Sequence, residues 1–308
     1  MRILLTGSRG MLGSSLIEHL ATGGFEVFSP TSVELNLLNQ SAVDEYLKRV
    51  KPDSIIHAAA RVGGIQANID SPYEYLSENI RMDSNLFSAA KELGVANFVY
   101  MASSCMYPRD TKQPMAESQI LSGELEPTNE GYALAKIIGT KTVETANQQY
   151  GLNWHSLILS NLFGPRDHFN SEKSHLLAAI ITKVESAKRL GQSSISMWGT
   201  GQVRREFTYV HDVSKFISST IDNLGRLPAS LNIGTGQDFS VLEYYKMVCR
   251  YAGFDGEIVP DASKPEGMAQ KLLNIEVAKG LGWKPETSMT DAIAQTYDWY
   301  LGSLEGAK

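Results

Sequence analysis

The chain is 308 residues long, 43% hydrophobic and 20% charged, with a formal net charge of −6. That composition provides a full apolar core and excludes a disordered chain. The acidic balance argues against a nucleic acid or an anionic membrane as partner, and no apolar run approaches the ~20 residues of a membrane span. The two cysteines, Cys105 and Cys249, make no disulfide framework. The apolar start breaks at Thr6-Gly7, short of a secretory segment, so a reducing cytoplasm is the expected setting.

Residues 3–5 read as a buried strand, and Met11, Leu12, Leu16 and Leu20 repeat at helical spacing behind it. Further strands are predicted at 25–28, 54–56, 98–101 and 154–159. Helices are predicted at 42–50, from Pro72 through about residue 90, and at 132–150. Strand and helix alternating at this pitch predict a Rossmann-like, doubly wound parallel sheet covered on both faces. After Leu162 the rhythm changes. Loops lengthen, Pro and Gly become frequent, and helical patches appear at 176–190, 212–224, 241–252 and 291–301. The expected division is a cofactor-binding domain of residues 1–162, rejoined by a returning segment at about 207–235. A smaller, mostly C-terminal α/β substrate-binding region would comprise 163–206 and 236–308.

Gly7-Ser8-Arg9-Gly10-Met11-Leu12-Gly13 stands directly after a strand and opens a helix. A tight turn, a bare backbone and the free N–H groups of a helix start are what a dinucleotide pyrophosphate needs. The end of the second strand, Ser29-Pro30-Thr31-Ser32, carries no acid before Glu34. An acid there would repel a 2′-phosphate, so its absence favours NADP over NAD, with Arg9 as the cation to meet the phosphate.

Tyr132 and Lys136 are four apart and share a helix face. A lysine charge beside the phenol would lower its pKa toward neutrality, which suits proton donation to a carbonyl oxygen. Ser103, just past the fourth strand, can donate a hydrogen bond to the same oxygen. The six histidines show no metal-ligand spacing.

With Gly7–Gly13, Ser103-Ser104-Cys105-Met106-Tyr107-Pro108, Tyr132–Lys136, Ala58 through Ile65, Ser174-His175, Arg205-Glu206-Phe207 and Asp261 through Pro265, nearly the whole chain resembles the extended short-chain dehydrogenase/reductase family. Within it the likeness is to the branch that epimerises GDP-4-keto-6-deoxy-D-mannose at C3 and C5 and reduces it at C4 with NADPH. The resemblance implies Cys105 and His175 as the acid/base pair of epimerisation, and Ser103, Tyr132 and Lys136 as the reductive group. It also implies cofactor contacts from Asn36, Leu37, Leu159, Ser160, Asn161, Leu162 and His175 besides the glycine loop. Lys183, Trp198, Arg205 and Glu266 match nucleotide-sugar positions. A homodimer, paired through helices at 75–91 and 129–149, is likewise implied.

This chain departs from the pattern in three places. Pro30 and Ser32 stand where arginine is frequent, Glu266 where Asp is common, and Gly131 replaces a common Pro, which would loosen the loop before Tyr132. Two other readings stay open on the residues alone. One is an NAD-dependent nucleotide-sugar 4-epimerase, which would not need the Cys/His pair. The other is a non-catalytic NADP-binding redox sensor, against which the joint presence of Ser103, Tyr132 and Lys136 argues.

Overall fold

A computed structural model describes residues 1–169, 174–264 and 267–305. In chain order the elements are β1 (Arg2–Thr6), α1 (Met11–Thr22), β2 (Glu26–Phe28), α2 (Gln40–Val50), β3 (Ser54–His57), α3 (Ile65–Asp70), α4 (Pro72–Leu93), β4 (Asn97–Ser103), α5 (Glu130–Tyr150) and β5 (Asn153–Leu159). There follow β6 (Asn161–Phe163), α6 (Leu176–Arg189), β7 (Ser194–Trp198), β8 (Arg204–Arg205), β9 (Phe207–Tyr209), α7 (Val210–Thr220), β10 (Ser230–Ile233), β11 (Phe239–Ser240), α8 (Val241–Ala252), β12 (Glu257–Asp261), β13 (Gln270–Lys271), α9 (Glu276–Gly280) and α10 (Met289–Glu305). Among the described residues no helix is long and apolar enough to cross a membrane.

Six strands form one parallel sheet in the order β10-β5-β4-β3-β1-β2. Its central strands, such as Ser54–His57, are buried along their whole length, which is why they read as continuous apolar runs rather than alternating ones. The chain moves outward from β1 in both directions, to β2 on one side and to β3 on the other. The crevice between the loops that leave β1 and β3 is therefore the switch point at which open α/β sheets bind ligands. The segment after residue 207 returns to this sheet: α7 packs on α1, and β10 pairs with β5.

Two hydrophobic clusters result. The first covers both faces of the sheet, with Trp154, Phe98 and Phe87 stacked at its centre. The second lies between α6, α8, β7 and α10, around Phe163, Phe207, Tyr244 and Tyr297. Leu273, Ile275, Ala278 and Trp283, beyond the border expected from sequence, pack in the first cluster, and the Trp283 indole donates to the Gly234 carbonyl at 2.6 Å. Packing thus carries the stretch around α9 back to the sheet.

Glu206 joins the pieces. Only 1% exposed, it accepts from the backbone N–H of Gly236 at 2.7 Å and of Leu273 at 2.8 Å. Burial pushes its carboxyl up to about 7 from an ordinary 4.5, with those backbone N–H groups pulling the other way. A raised acid pKa means the folded protein keeps a proton that the unfolded chain has released. The group's contribution to stability is then complete below 4.5 and is lost as pH rises through about 7. We expect Glu206→Gln, which cannot ionise, to remove this component. In urea titrations at steps between about pH 5 and about pH 8, wild-type unfolding free energy should fall relative to the variant as pH rises.

Candidate active site

Every site residue named from the sequence, Glu266 excepted, lines one cavity of 1410 Å³ that runs from the glycine loop to β7 and β13. Glu266 lies outside the described residues.

At one end is the phosphate cradle. Gly7 has a φ of +74°, and a Cβ on it would sit 2.5 Å from the Ala59 nitrogen, so only glycine lets the loops after β1 and β3 touch. Gly13 packs against that same turn: a Cβ there would lie 2.1 Å from the Gly7 oxygen. Gly10, the N-cap of α1, offers no side-chain cap, so the first N–H groups of the helix stay available to an anion. Ser8 ties the loop to the end of β2 by donating to the Ser29 carbonyl at 3.2 Å. Asn36 caps its own turn by accepting from Leu38 N–H, and Leu37 beside it is buried.

Arg9 is exposed at the rim with Pro30, Thr31 and Ser32. Glu34 folds away from the strand end, accepting from Thr31 N–H at 2.7 Å and Thr31 Oγ1 at 2.9 Å. Those Thr31 bonds hold its carboxyl below the usual range, with a smaller contribution from Arg9. The acid nearest β2 is therefore occupied locally. The cradle and its cationic rim fit a nicotinamide dinucleotide phosphate.

In the middle of the cavity stand Ser103, Cys105, Tyr132 and Lys136. Ser103 ends β4, and Cys105 lies in the single 3₁₀ turn behind it, with its N–H on Ser103 Oγ at 3.4 Å. Tyr132 and Lys136 occupy the first turns of α5, and the Ser103 hydroxyl draws the Tyr132 phenol pKa down. The Lys136 ammonium is 4.5 Å from the Tyr100 ring centroid and 5.9 Å from that of Tyr132.

The expectation that Lys136 lowers the Tyr132 pKa needs correcting. Burial pushes the phenol well above its ordinary value, and the nearby Cys105, Asp83 and Tyr75 add to that, while Ser103 alone pulls it down. In the protein by itself desolvation wins over the lysine charge. Gly131 also behaves differently from its sequence reading. A Cβ on it would sit 2.7 Å from the Pro72 carbonyl oxygen, so glycine here lets the starts of α4 and α5 meet closely rather than loosening a loop.

At the far end His175 caps α6 and faces Asp167, with Nδ1 3.5 Å from the carboxylate. The hydrogen bond to Asp167 raises the imidazole pKa, burial opposes it, and the carboxylate charge adds to the rise. Lys183 donates to the Ser196 carbonyl at 2.7 Å and lies over Tyr245. Trp198 is 56% exposed, with Lys264 5.5 Å above its ring. Arg205 donates to the Met268 carbonyl. On the nicotinamide side Ser160 bonds Thr208 at 2.6 Å, and Asn161 donates to the Glu206 carbonyl, which fixes the strand end between Leu159 and Leu162.

Sequence reasoning missed two groups. Lys271, on the two-residue β13, is half-buried near Cys105, Arg205 and Glu126. Burial pushes the Cys105 thiol up, and Lys271, Ser103 and Lys136 draw it back. Nothing in the sequence marks Lys271, because its place follows from a strand too short to show a period. Asp167 carried a faint signal, one of two acids in the loop that leads to His175.

The chain belongs to the NAD dependent epimerase/dehydratase family, whose model matches residues 3–234. It is 43% identical to a GDP-L-fucose synthase of Azorhizobium caulinodans, over 99% of this chain and 97% of that protein. It is 41% identical to a GDP-L-colitose synthase of Yersinia pseudotuberculosis, over 98% of each. Among solved structures it is similar to MlghC, a GDP-mannoheptose C4 reductase from Campylobacter jejuni with NADP bound. The TM-score there is 0.88 and the identity 31%, over 97% of this chain and 98% of the other.

Asp167 raises the His175 pKa in this arrangement, and the sign is testable. Removing the carboxylate takes away what raises the imidazole pKa and leaves burial, which lowers it. We expect Asp167→Asn to move the His175 titration, followed by NMR of the imidazole C–H protons, to lower pH.

Proposed function

We propose that this chain is an NADPH-dependent epimerase-reductase that converts GDP-4-keto-6-deoxy-D-mannose to GDP-L-fucose. One observation supports this above the rest. A single cavity lines up a phosphate cradle, a Ser-Tyr-Lys group and a separate Cys105/His175 pair, as a two-stage reaction on one sugar requires. The division into a cofactor-binding part, residues 1–162 with 207–235, and a sugar-nucleotide part fits the way the cavity is built.

The cofactor supplies hydride to C4 when it is bound across the cradle at Gly7–Gly13. The rest falls to the chain. Ser103 and Tyr132 hold the C4 oxygen, and their hydrogen bonds stabilise the negative charge that it gathers when C3 or C5 loses a proton. Cys105 accepts that proton as its thiolate, a form that burial disfavours and that Lys271, Ser103 and Lys136 favour. His175, whose imidazole pKa the hydrogen bond to Asp167 raises against burial, returns a proton on the opposite face. Tyr132 then donates to the C4 oxygen in the reductive step. Lys183 and Arg205 answer the diphosphate charge, and Trp198 offers an exposed face to the base. Arg9 and the acid-free end of β2 support NADP rather than NAD.

The test follows NADPH absorbance on addition of GDP-4-keto-6-deoxy-D-mannose, with NADH in parallel and the product identified chromatographically against GDP-L-fucose and GDP-L-colitose. We expect NADPH oxidation and GDP-L-fucose. No oxidation of either cofactor would refute the reading, and a preference for NADH would refute the NADP assignment alone. In Cys105→Ser, deuterium incorporation at C3 from heavy water should fall by about a hundredfold while NADPH still binds. Exchange at the wild-type rate would remove Cys105 from the reaction.

The protein is proposed to act as a homodimer in the cytoplasm. Its outer groove between α4 and α5, with Ile138 45% and Tyr150 50% exposed, is the surface that fits self-association. Light scattering should give twice the 33.8 kDa chain mass, and Ile138→Glu should give the single mass.

A further inference from the structure

Beneath the catalytic group lies a chain of buried polar side chains that the proposed reaction does not use. Thr6, the last residue of β1, bonds His57 Nδ1 at 2.6 Å, and His57 Nε2 bonds Asp83 Oδ1 at 2.9 Å. The other Asp83 oxygen accepts from the Tyr100 hydroxyl at 2.5 Å. Lys136 sits 4.5 Å from the centroid of that same Tyr100 ring. All five residues are buried, and they come from β1, β3, α4, β4 and α5.

The carboxylate accepts, so His57 donates to it through Nε2, while its Nδ1 shares a hydrogen with Thr6 Oγ1. Thr6 Oγ1 in turn accepts from Ala59 N–H at 3.4 Å. Gly139 completes the arrangement. A Cβ on it would lie 2.4 Å from the Tyr100 hydroxyl, so α5 leaves a gap under which the phenol passes one turn beyond Lys136.

We propose that Asp83 is a positioning residue for Lys136. It acts as the counter-charge of the buried ammonium, with Tyr100 as the spacer between them and His57 and Thr6 as the anchor. Among the described residues Lys136 makes no ion pair within 4.0 Å, and Asp83 is the carboxylate whose charge reaches it. The relation is mutual. Burial pushes the Asp83 carboxyl up, yet Lys136, His57 and Tyr100 together hold it below the usual range. Burial draws the lysine down, and Asp83, then Cys105, hold it up.

The titratable groups that face Lys136 are Tyr132 on its own helix, Tyr100 on β4, Asp83 on α4 with His57 on β3 behind it, and Cys105 after β4. Because Thr6 directly precedes Gly7, the same chain fixes the lysine relative to the phosphate loop. This inference rests on the reading of Lys136 as part of the reductive group.

The experiment uses the full chain with Asp83→Asn, Asp83→Glu and Tyr100→Phe. In the protein without cofactor, NMR of 13C-labelled lysine, with Lys136 assigned through Lys136→Arg, reads the ammonium directly. Its titration midpoint should fall in Asp83→Asn, move the same way by less in Tyr100→Phe, and return toward wild type in Asp83→Glu. In the NADPH assay kcat should fall about tenfold in Asp83→Asn with KM for the GDP-sugar nearly unchanged, and the alkaline limb should move to lower pH.

If Asp83→Asn fails to fold, Tyr100→Phe decides by the same signs, since it keeps both the ring and the carboxylate. An unchanged Lys136 midpoint in a folded variant overturns the proposal. So does a loss of kcat with an unchanged pH profile, the mark of a merely structural role. The NMR arm needs no turnover: a shifted midpoint in an enzyme inactive on this sugar would refute the reaction and leave the pairing intact.

Discussion

A lysine ammonium 1% exposed to water is the constraint around which this molecule is arranged. Taking such a charge out of water costs several kcal/mol even after the protein relaxes, so it survives only where the surroundings replace the lost solvation. Here the replacement comes from a carboxylate on α4, the π-face of a tyrosine on β4 and the thiol after β4, none of them close in sequence to Lys136. Each must be delivered by a different element of the sheet-and-helix layer. The requirement therefore reaches into the core: α4 and α5 must lie side by side, Tyr100 must stand between them, and Gly139 must carry no side chain.

The same economy of place governs the cofactor end. The loops after β1 and β3 approach within a distance that excludes any side chain at Gly7, and Thr6 and His57, one residue before each loop, are bonded to one another. The phosphate turn and the charged interior under Lys136 are two ends of one rigid unit. In the proposed reaction a ligand held by the turn would stand at a fixed distance from the Ser-Tyr-Lys group, and orientation would contribute to rate there. The sugar side is built more loosely. Its cations come from α6 and from the two-residue strands β8 and β13, and Glu206 and Trp283 help tie that part to the sheet.

This contrast explains what could be read in the sequence. The strands β1, β3, β4 and β5 are apolar runs in strict alternation with helices, and the glycine loop and Tyr132–Lys136 sit at their ends, so fold and cofactor site were visible in local pattern. Lys271 was not. Its position depends on β13 pairing with β8, a contact of two residues per strand between segments more than sixty apart. Asp83 reads as one more polar residue in a long helix, because nothing in periodicity says that its side of α4 faces a buried histidine and tyrosine. Gly131 invited the opposite conclusion from the right one, since a glycine that serves close approach and a glycine that serves flexibility look alike until the neighbouring carbonyl is seen.

The Tyr132 phenol shows most clearly how far spacing can mislead. Four residues of helix place Lys136 on the correct face, and from that alone the phenol should be acidified. The structure puts the ammonium nearer to Tyr100 than to Tyr132, and around the phenol it places a thiol, a carboxylate and a second tyrosine, each of which disfavours the phenolate. A residue that must give up a proton in the reductive step is thereby kept fully protonated until that step. In the proposed epimerisation the same phenol would donate a hydrogen bond to the enolate oxygen rather than compete with Cys105 as a base. Burial, which looked like an obstacle to catalysis by Tyr132, is what would keep the two stages of the proposed reaction apart in a single cavity.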